Sequence, residues 1–292
     1  MSIPINHHYV SKSHIRYFKN GETGKYYLYN KELKKFEKPK LSEKSIFSED
    51  YSNTRFKDGE LDHKGLEAEL NASFETDFFK HANKIIEYVS NPVQEIKSLK
   101  PSLLYLIRYA IIADMRHPYF KKNTDARIND LMSEVINHIY YLETGEVSNF
   151  KMNDIENPKT KYSNLLQYND IADERLRLMG NLSIDIIDAG NEGSFILPDT
   201  GCYLKRARIN NYLNKDIQEI AVVGLPLTDK IFILGRSIKL QGIREGIFLV
   251  KNLPSIFIDD ANRDLYMSGV KKILSSNRSL LDNIVNKHST IP

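Results

Sequence analysis

The sequence predicts an α+β fold, a central helical core with short antiparallel strands from an N-terminal hairpin and two hairpins in the C-terminal half. Three observations predict it. Apolar residues recur at helical spacing through the middle of the chain. After about residue 182 the period changes to two, as in half-buried strands. Turn residues separate the alternating stretches in pairs. No internal repeat and no clear linker divides the 292 residues, so one domain spanning 1–292 is expected, long enough to bury a sizeable core.

Residues 25–29 (KYYLY) and the stretch around Phe36 flank Asn30-Lys31-Glu32, which reads as a hairpin turn. Residues 38–60 carry Ser, Lys and Asp with little periodicity and read as a long loop. Over 62–90, Leu66, Leu70, Phe74, Phe78, His81, Ile85 and Val89 mark one helical stripe, and Pro92 stops it. Pro101 opens the next helix, 102–116, which is apolar nearly all round and is therefore expected at the centre of the core. Pro118 disfavours helical geometry at His117 and ends that helix near Arg116. A third helix is expected over about 125–143, with Thr124 as N-cap and Gly145 just past its end. A fourth occupies roughly 164–179.

Then SIDIID alternates, residues 190–193 turn, and SFIL follows, which predicts a hairpin. EIAVVGLPL and KIFILG, joined across Thr228-Asp229, predict a second. Residues 242–288 read as helix, with Ile273, Leu274, Leu280, Leu281, Ile284 and Val285 as apolar positions.

Composition narrows the function classes. Lys plus Arg is 41 and Asp plus Glu is 38, a formal charge of +3 that is too mild to argue for nucleic acid or a charged membrane. The single cysteine, Cys202, excludes an internal disulfide and a Cys-rich zinc site, and fits a reducing compartment. The opening MSIPINHHYVSKSH has no apolar stretch of the secretory kind, and the longest apolar run, Leu103 to Ala113, is interrupted by Tyr105, Arg108 and Tyr109. A cytoplasmic protein without membrane contact is the expectation. A Gly-rich phosphate loop, His-Glu-x-x-His and Gly-x-Ser-x-Gly are all absent from the sequence.

Asn6-His7-His8-Tyr9-Val10, followed by Ile15-Arg16-Tyr17-Phe18, resembles the opening of the bacterial family called domain of unknown function four-two-three-eight. That family has a His-His-Tyr-Val-Pro start and a Leu-Arg-x-Phe after it. Further stretches follow in order. Leu66-Glu67 with Glu75 resembles its first helix, which carries two glutamates. Arg116-His117-Pro118-Tyr119-Phe120-Lys121 resembles its Arg-Thr-Pro-x-Phe-Arg segment, and Phe195-Ile196-Leu197-Pro198-Asp199 its strand ending in Ser-Asp-Asn-Pro. Leu225-Pro226-Leu227-Thr228 is similar to its Pro-Leu-Ser-Pro strand, and Asn262 to its closing segment. Ser11 replaces the proline of the opening, and Pro198 and Thr200-Gly201 replace the serine and Asn-Pro of the strand motif. The resemblance implies a bacterial or phage-borne protein of the conflict-system type, in which nucleases are common effectors. It carries no reaction with it.

Within these stretches lie the candidates for chemistry. His7 and His8 suit general acid–base work near neutral pH, and in an extended segment they point to opposite faces. The structural alternative is that one packs and the other is solvated. Glu67, Asn71 and Glu75 stand at i, i+4 and i+8, so the two carboxylates are candidates for a divalent metal, the one cofactor the spacing suggests, although a solvated helix face is the commoner explanation of such a stripe. Arg108, inside the most apolar helix, needs a carboxylate partner, for which Glu67 or Glu75 are expected. Arg116 would hold an anionic group or cap its helix, and Asp199 would orient water or a metal. The run Lys205-Arg206-Ala207-Arg208, with Tyr203 and Tyr212 nearby, is a candidate nucleic-acid contact, although a charged loop is the commoner explanation of such a run, and Tyr9 is a further candidate for substrate binding. Arg108 and His117 are separated by eight residues and Arg127 and His138 by ten, neither of which fits the Arg–His spacing of helical ribonuclease toxins.

Two functions are carried forward. One is hydrolysis of a nucleic-acid phosphodiester by His7, His8, Arg116 and Asp199, with Glu67 and Glu75 on a metal. The other is a non-catalytic binding or sensing module in which the same residues determine the fold. Nucleic acid, a partner protein or a second copy of the chain are the partners considered.

Overall fold

A computed structural model describes residues 6–57, 60–152, 162–191, 193–208 and 218–289. The fold is α+β, as the sequence predicts. Strand β1 (Asn6–His8) is followed by a short helix α1 (Lys12–Arg16), which Ser11 caps by accepting the Ser13 N–H. Strands β2 (Tyr27–Asn30) and β3 (Lys35–Phe36) form the predicted N-terminal hairpin. Its turn is closed by Asn30, whose side-chain oxygen accepts the Leu33 N–H at 2.9 Å.

The stretch 38–60 is more ordered than its composition suggests. Strand β4 (Ser48–Asp50) pairs antiparallel with β1, placing His7 opposite Glu49. Strands β5 (Arg55–Lys57) and β6 (Glu60–Asp62) form a small hairpin. These pairings are tertiary or only three residues long, too short to leave a period in the sequence.

The helix expected over 62–90 is present in pieces: α2 (Gly65–Leu70), a π-helical turn (Asn71–Glu75), and α3 (Phe78–Ser90). Leu66, Leu70, Phe78, Ile85 and Val89 are buried along it, as their spacing requires, and each fully buried large aliphatic contributes roughly 1.5–3 kcal/mol. Helix α4 (Lys100–Arg116), with Pro101 in its first turn, is the central element. Its Leu106, Ile107, Ala110 and Ile111 are fully buried and lie in one core with Ile186, Val223, Leu225 and Ile233 of the main sheet.

Helix α5 (Pro118–Thr144) begins seven residues earlier than the 125 expected from Thr124. Pro118 both stops α4 and starts α5, because a proline costs nothing at the first helical position; His117, not Thr124, is the N-cap. Gly145 ends the helix at φ 73°. Only Lys121 of this helix is buried, and Leu131, Val135, Ile139 and Leu142 are exposed along it. Helix α6 (Tyr168–Met179) starts slightly later than expected.

Of the two hairpins expected in the C-terminal half, one forms. Strands β7 (Leu182–Asp188), β8 (Leu197–Pro198), β9 (Tyr203–Arg208), β10 (Gln218–Pro226) and β11 (Ile231–Ser237) follow in order, and β10 and β11 pair antiparallel across the Thr228-Asp229 turn. The SIDIID–SFIL hairpin does not form. β7 pairs instead with β11, and β8 belongs to another sheet. Residue 192 of the expected turn lies outside the described residues.

The continuous helix expected over 242–288 is also corrected. After a short helix α7 (Ile238–Gln241) come strand β12 (Gly246–Val250), helix α8 (Ser255–Ser268), strand β13 (Lys272–Ser275) and helix α9 (Arg278–His288). Apolar runs of four or five residues, such as IFLV and KILS, do not distinguish strand from helix by period alone. β12 lies parallel to β7 at the edge of a five-stranded sheet ordered β12-β7-β11-β10-β9. β13 joins the N-terminal hairpin in a four-stranded sheet ordered β3-β2-β13-β8. The second sheet thus ties the two ends of the chain together, and it sets the position of the motif residues. Among the described residues no helix is long and apolar enough to cross a membrane.

Candidate functional site

The two histidines of β1 separate as strand geometry demands. Both are buried, on opposite sides. His7 Nδ1 accepts the Asn53 N–H at 3.0 Å, and its Nε2 has no hydrogen-bond partner of ordinary geometry. His8 Nε2–H donates to the Glu43 carbonyl at 3.2 Å. Burial pushes the His8 pKa down to about 4. It lowers that of His7 as well, against the upward pull of Glu67. Both imidazoles are therefore neutral at pH 7.

Arg116, at the C-terminal end of α4, is 1% exposed and is the hub of the cluster. Its Nη1 donates to Glu75 Oε1, its Nη2 to the His8 carbonyl at 2.5 Å, and the same nitrogen stands 3.5 Å from Glu67 Oε2. Burial works against the guanidinium charge, but Glu75 and Glu67 more than offset it and hold its pKa above the ordinary value. The π-helical turn delivers the second carboxylate. Residues eight apart on a straight α-helix are offset by about 80°. A turn with more residues per revolution reduces that offset, so Glu67 and Glu75 reach one guanidinium.

Asn53 connects this ion pair to His7. Its backbone N–H serves the imidazole, its side-chain amide donates to Glu67 Oε2, and its Oδ1 accepts from Lys121 Nζ at 2.6 Å. Lys121, buried on the first turn of α5, also donates to the Ser52 carbonyl at 2.9 Å. Asn164 holds the same loop through the Ser52 and Thr54 carbonyls, at 3.0 and 2.6 Å. Two cations and two carboxylates thus meet around an asparagine, which is how ionised groups are tolerated when buried.

Asp199 does different work from the one expected. It is fully buried, and its oxygens accept the backbone N–H groups of Val270, Lys271 and Lys272 at 2.8, 2.8 and 2.9 Å. It thereby shapes the entry to β13. His117 Nε2 lies 3.4 Å from the same carboxylate, while His117 Nδ1 accepts the Tyr119 N–H that starts α5. Tyr9 packs edge-on against the His117 ring at 5.1 Å, and burial pushes its hydroxyl pKa up. Gly201 follows at φ 78°, where a Cβ would crowd the Ala113 side chain at 3.1 Å. Proline, the residue of the resembled motif at this position, cannot take that φ, so this turn is built differently here.

The structure brings the far-apart candidates together. His8 touches Arg116, Tyr9 touches His117, and His117 touches Asp199. Two expectations are corrected. Arg108 pairs not with Glu67 or Glu75 but with Asp173 on α6, at 2.5 Å, and with Asn169. The basic run is not one patch, because strand alternation sends Lys205 to one face of β9, where it meets Asp264 at 2.5 Å, and Arg206 and Arg208 to the other. Tyr203 is buried, and Tyr212 lies outside the described residues. As for the metal role expected of Glu67 and Glu75, both face Arg116. Among the described residues no group of three or more His, Cys, Asp or Glu is gathered to hold a metal ion.

Beside the cluster opens a cleft of about 580 Å³ between the start of α5, β9 and the end of α8. Asp114, His117, Tyr119, Thr200, Cys202 and Arg206 line it. Arg206 stands 3.8 Å from Asp114 Oδ2. Burial raises the Asp114 pKa, although Arg206 and Arg175 pull it down. Sequence reasoning missed Asn53, Asp114 and Arg175. Asn53 falls in the apparent loop, and the other two are placed only by the packing of α4 against α6. His117 carried a readable signal, since a residue directly before a helix-starting proline is an N-cap.

The family model described as "Protein of unknown function (DUF4238)" matches residues 6–266, the same family that the opening motifs resemble. No curated protein and no solved structure matches the chain.

Proposed function

The chain belongs to this family of unknown function, and from that footing we propose that it is a non-catalytic binding or sensing module whose shared motif residues hold the fold around a ligand cleft. One observation carries the reading: the motif groups spend their polar atoms on the chain itself. His8 serves a carbonyl, Asp199 takes three backbone N–H groups, and Arg116 bridges two glutamates and the β1 backbone. Groups so engaged are poorly placed to exchange protons with a substrate. A reducing, cytoplasmic setting belongs to the same proposal and rests on the single buried cysteine.

The test pairs stability with activity. His8→Ala is expected to lower the melting temperature by several degrees, and the purified protein to leave RNA and DNA intact with or without EDTA. Degradation that disappears in a folded His7→Ala variant overturns the reading.

That last outcome would support a second reading, phosphodiester hydrolysis by a nuclease-like effector. The observation in its favour is His7 itself. Its Nδ1 is fixed by Asn53 and its Nε2 has no ordinary hydrogen bond, in a setting that holds Lys121, Arg116 and Glu67. With Nδ1 accepting, the proton of the neutral ring sits on Nε2, which would present an N–H donor to a developing oxyanion.

A further inference from the structure

We propose that the cleft between the start of α5 and β9 binds a nucleoside phosphate, its phosphate held by Arg206 and its base laid against Tyr119. The proposal rests on the binding-module reading and adds to it a place and a ligand chemistry.

Three elements bring the charges together. Asp114 on α4 stands between Arg206 on β9 and Arg175 on α6. Two guanidiniums against one carboxylate leave an excess of positive charge. Arg175 is partly buried, lies outside the cleft lining with its guanidinium 5.8 Å from the Phe120 ring centroid, and adds positive charge behind the wall without touching the ligand. Arg206, which lines the cleft with its side chain 36% exposed, is the guanidinium an entering anionic oxygen would meet. Arginine presents its donors as a planar fork that matches phosphate oxygens.

The rest of the lining fits the rest of the ligand. Tyr119 is 55% exposed at the rim, on the first turn of α5, and its ring offers a stacking surface for a base. The cleft volume, about 580 Å³, lies within the range of sites that take small organic ligands. Thr200 donates its hydroxyl to the Cys202 carbonyl at 2.7 Å, which leaves its oxygen as an acceptor facing the cavity. A free nucleotide and one unit of a nucleic-acid strand share this chemistry.

The experiment titrates the full chain with adenosine 5′-monophosphate and, separately, with a fluorescent single-stranded oligoadenylate. Heat of binding reads the first and anisotropy the second. Binding of either probe is expected, and Arg206→Ala should weaken it by about tenfold or more, the loss of one charge-assisted hydrogen bond. Tyr119→Ala should weaken binding while leaving melting unchanged, because the ring is exposed. Arg208→Ala, on the same face of β9 but outside the cleft lining, should bind as the parent does. Strand binding without mononucleotide binding identifies a nucleic-acid unit as the ligand, and the reverse identifies a free nucleotide. No binding of either probe at millimolar concentration overturns the proposal, as does undiminished binding by folded Arg206→Ala and Tyr119→Ala. If the strand is bound and also cut, the binding-only reading fails, while the Arg206 dependence still decides the site.

Discussion

The Arg116 guanidinium donates to the backbone carbonyl of His8 at 2.5 Å, so the last turn of the central helix is clamped directly to the N-terminal strand. The same group takes Glu75 and Glu67. One side chain therefore joins β1, the π-helical turn and α4, three segments far apart in sequence.

Replacing that side chain should be severe. Arg116→Met leaves two carboxylates facing each other and a strand carbonyl without its donor. Breaking a buried pair by removing one partner costs about 3–5 kcal/mol, and the partial exposure of both glutamates places the expected loss near the lower end. Denaturant unfolding measures it. A variant within experimental error of the parent would show that the clamp is dispensable. Arg116→Lys should recover little, since one ammonium cannot reach all three acceptors.

Asp199→Asn tests whether this carboxylate is structural. The amide keeps one acceptor oxygen but turns an NH₂ group toward backbone N–H donors. A loss of about 1–3 kcal/mol follows from the unpaired buried donors, read as a lower melting temperature. Nucleotide binding at the cleft should survive in the folded fraction.

Stability should fall as the solution is acidified from about pH 6.5 towards pH 4. His8 and the fully buried His14, whose Nε2–H donates to the Pro226 carbonyl at 2.6 Å, are both lowered to a pKa of about 4 by burial. In the unfolded chain they take a proton near pH 6.5, while the folded chain refuses it until about pH 4. The stabilisation is therefore complete above pH 6.5, declines through that window and is gone below it. The change is on the order of 3 kcal/mol per histidine. Glu37 and Glu43, whose pKa values lie below the usual carboxylate range, lose stability in the same direction at lower pH, so the assignment needs a variant. The melting temperature of His14→Gln should depend less steeply on pH between 6.5 and 4.5 than that of the parent. Parallel curves would remove His14 from the account.

Gly201→Ala should destabilise without touching any polar group. The position has φ 78°, and an added Cβ would stand 3.1 Å from the Ala113 Cβ. Left-handed backbone costs a non-glycine residue about 1–2 kcal/mol, and the steric contact with α4 adds to it. A stability gain in thermal melting would show that the turn relaxes freely.

The sequence alone determined what is local. Helical periodicity marked α3 and α4. Prolines at 92, 101 and 118 marked their limits, and the turns at Asn30-Lys31 and Thr228-Asp229 marked two hairpins. These features depend on neighbouring residues and are written in neighbouring residues. The motif order also identified which side chains to watch, and His7, His8, Glu67, Glu75, Arg116 and Asp199 do lie in one connected region. Their partners were decided only in three dimensions. Nothing in the spacing of Arg108 and Arg116 says which of them meets Glu67 and Glu75. The choice depends on which face of α4 turns toward the π-helical turn and which toward α6. β7 likewise pairs with β11 and β12 rather than with its neighbour in sequence, because strand partners are selected by burial of whole faces and not by proximity along the chain. The cleft beside Asp114 is the furthest from the sequence. It exists because the end of α4, the start of α5, β9 and the end of α8 leave a gap beside the Asp114–Arg206 pair, a property of packing that no single segment encodes.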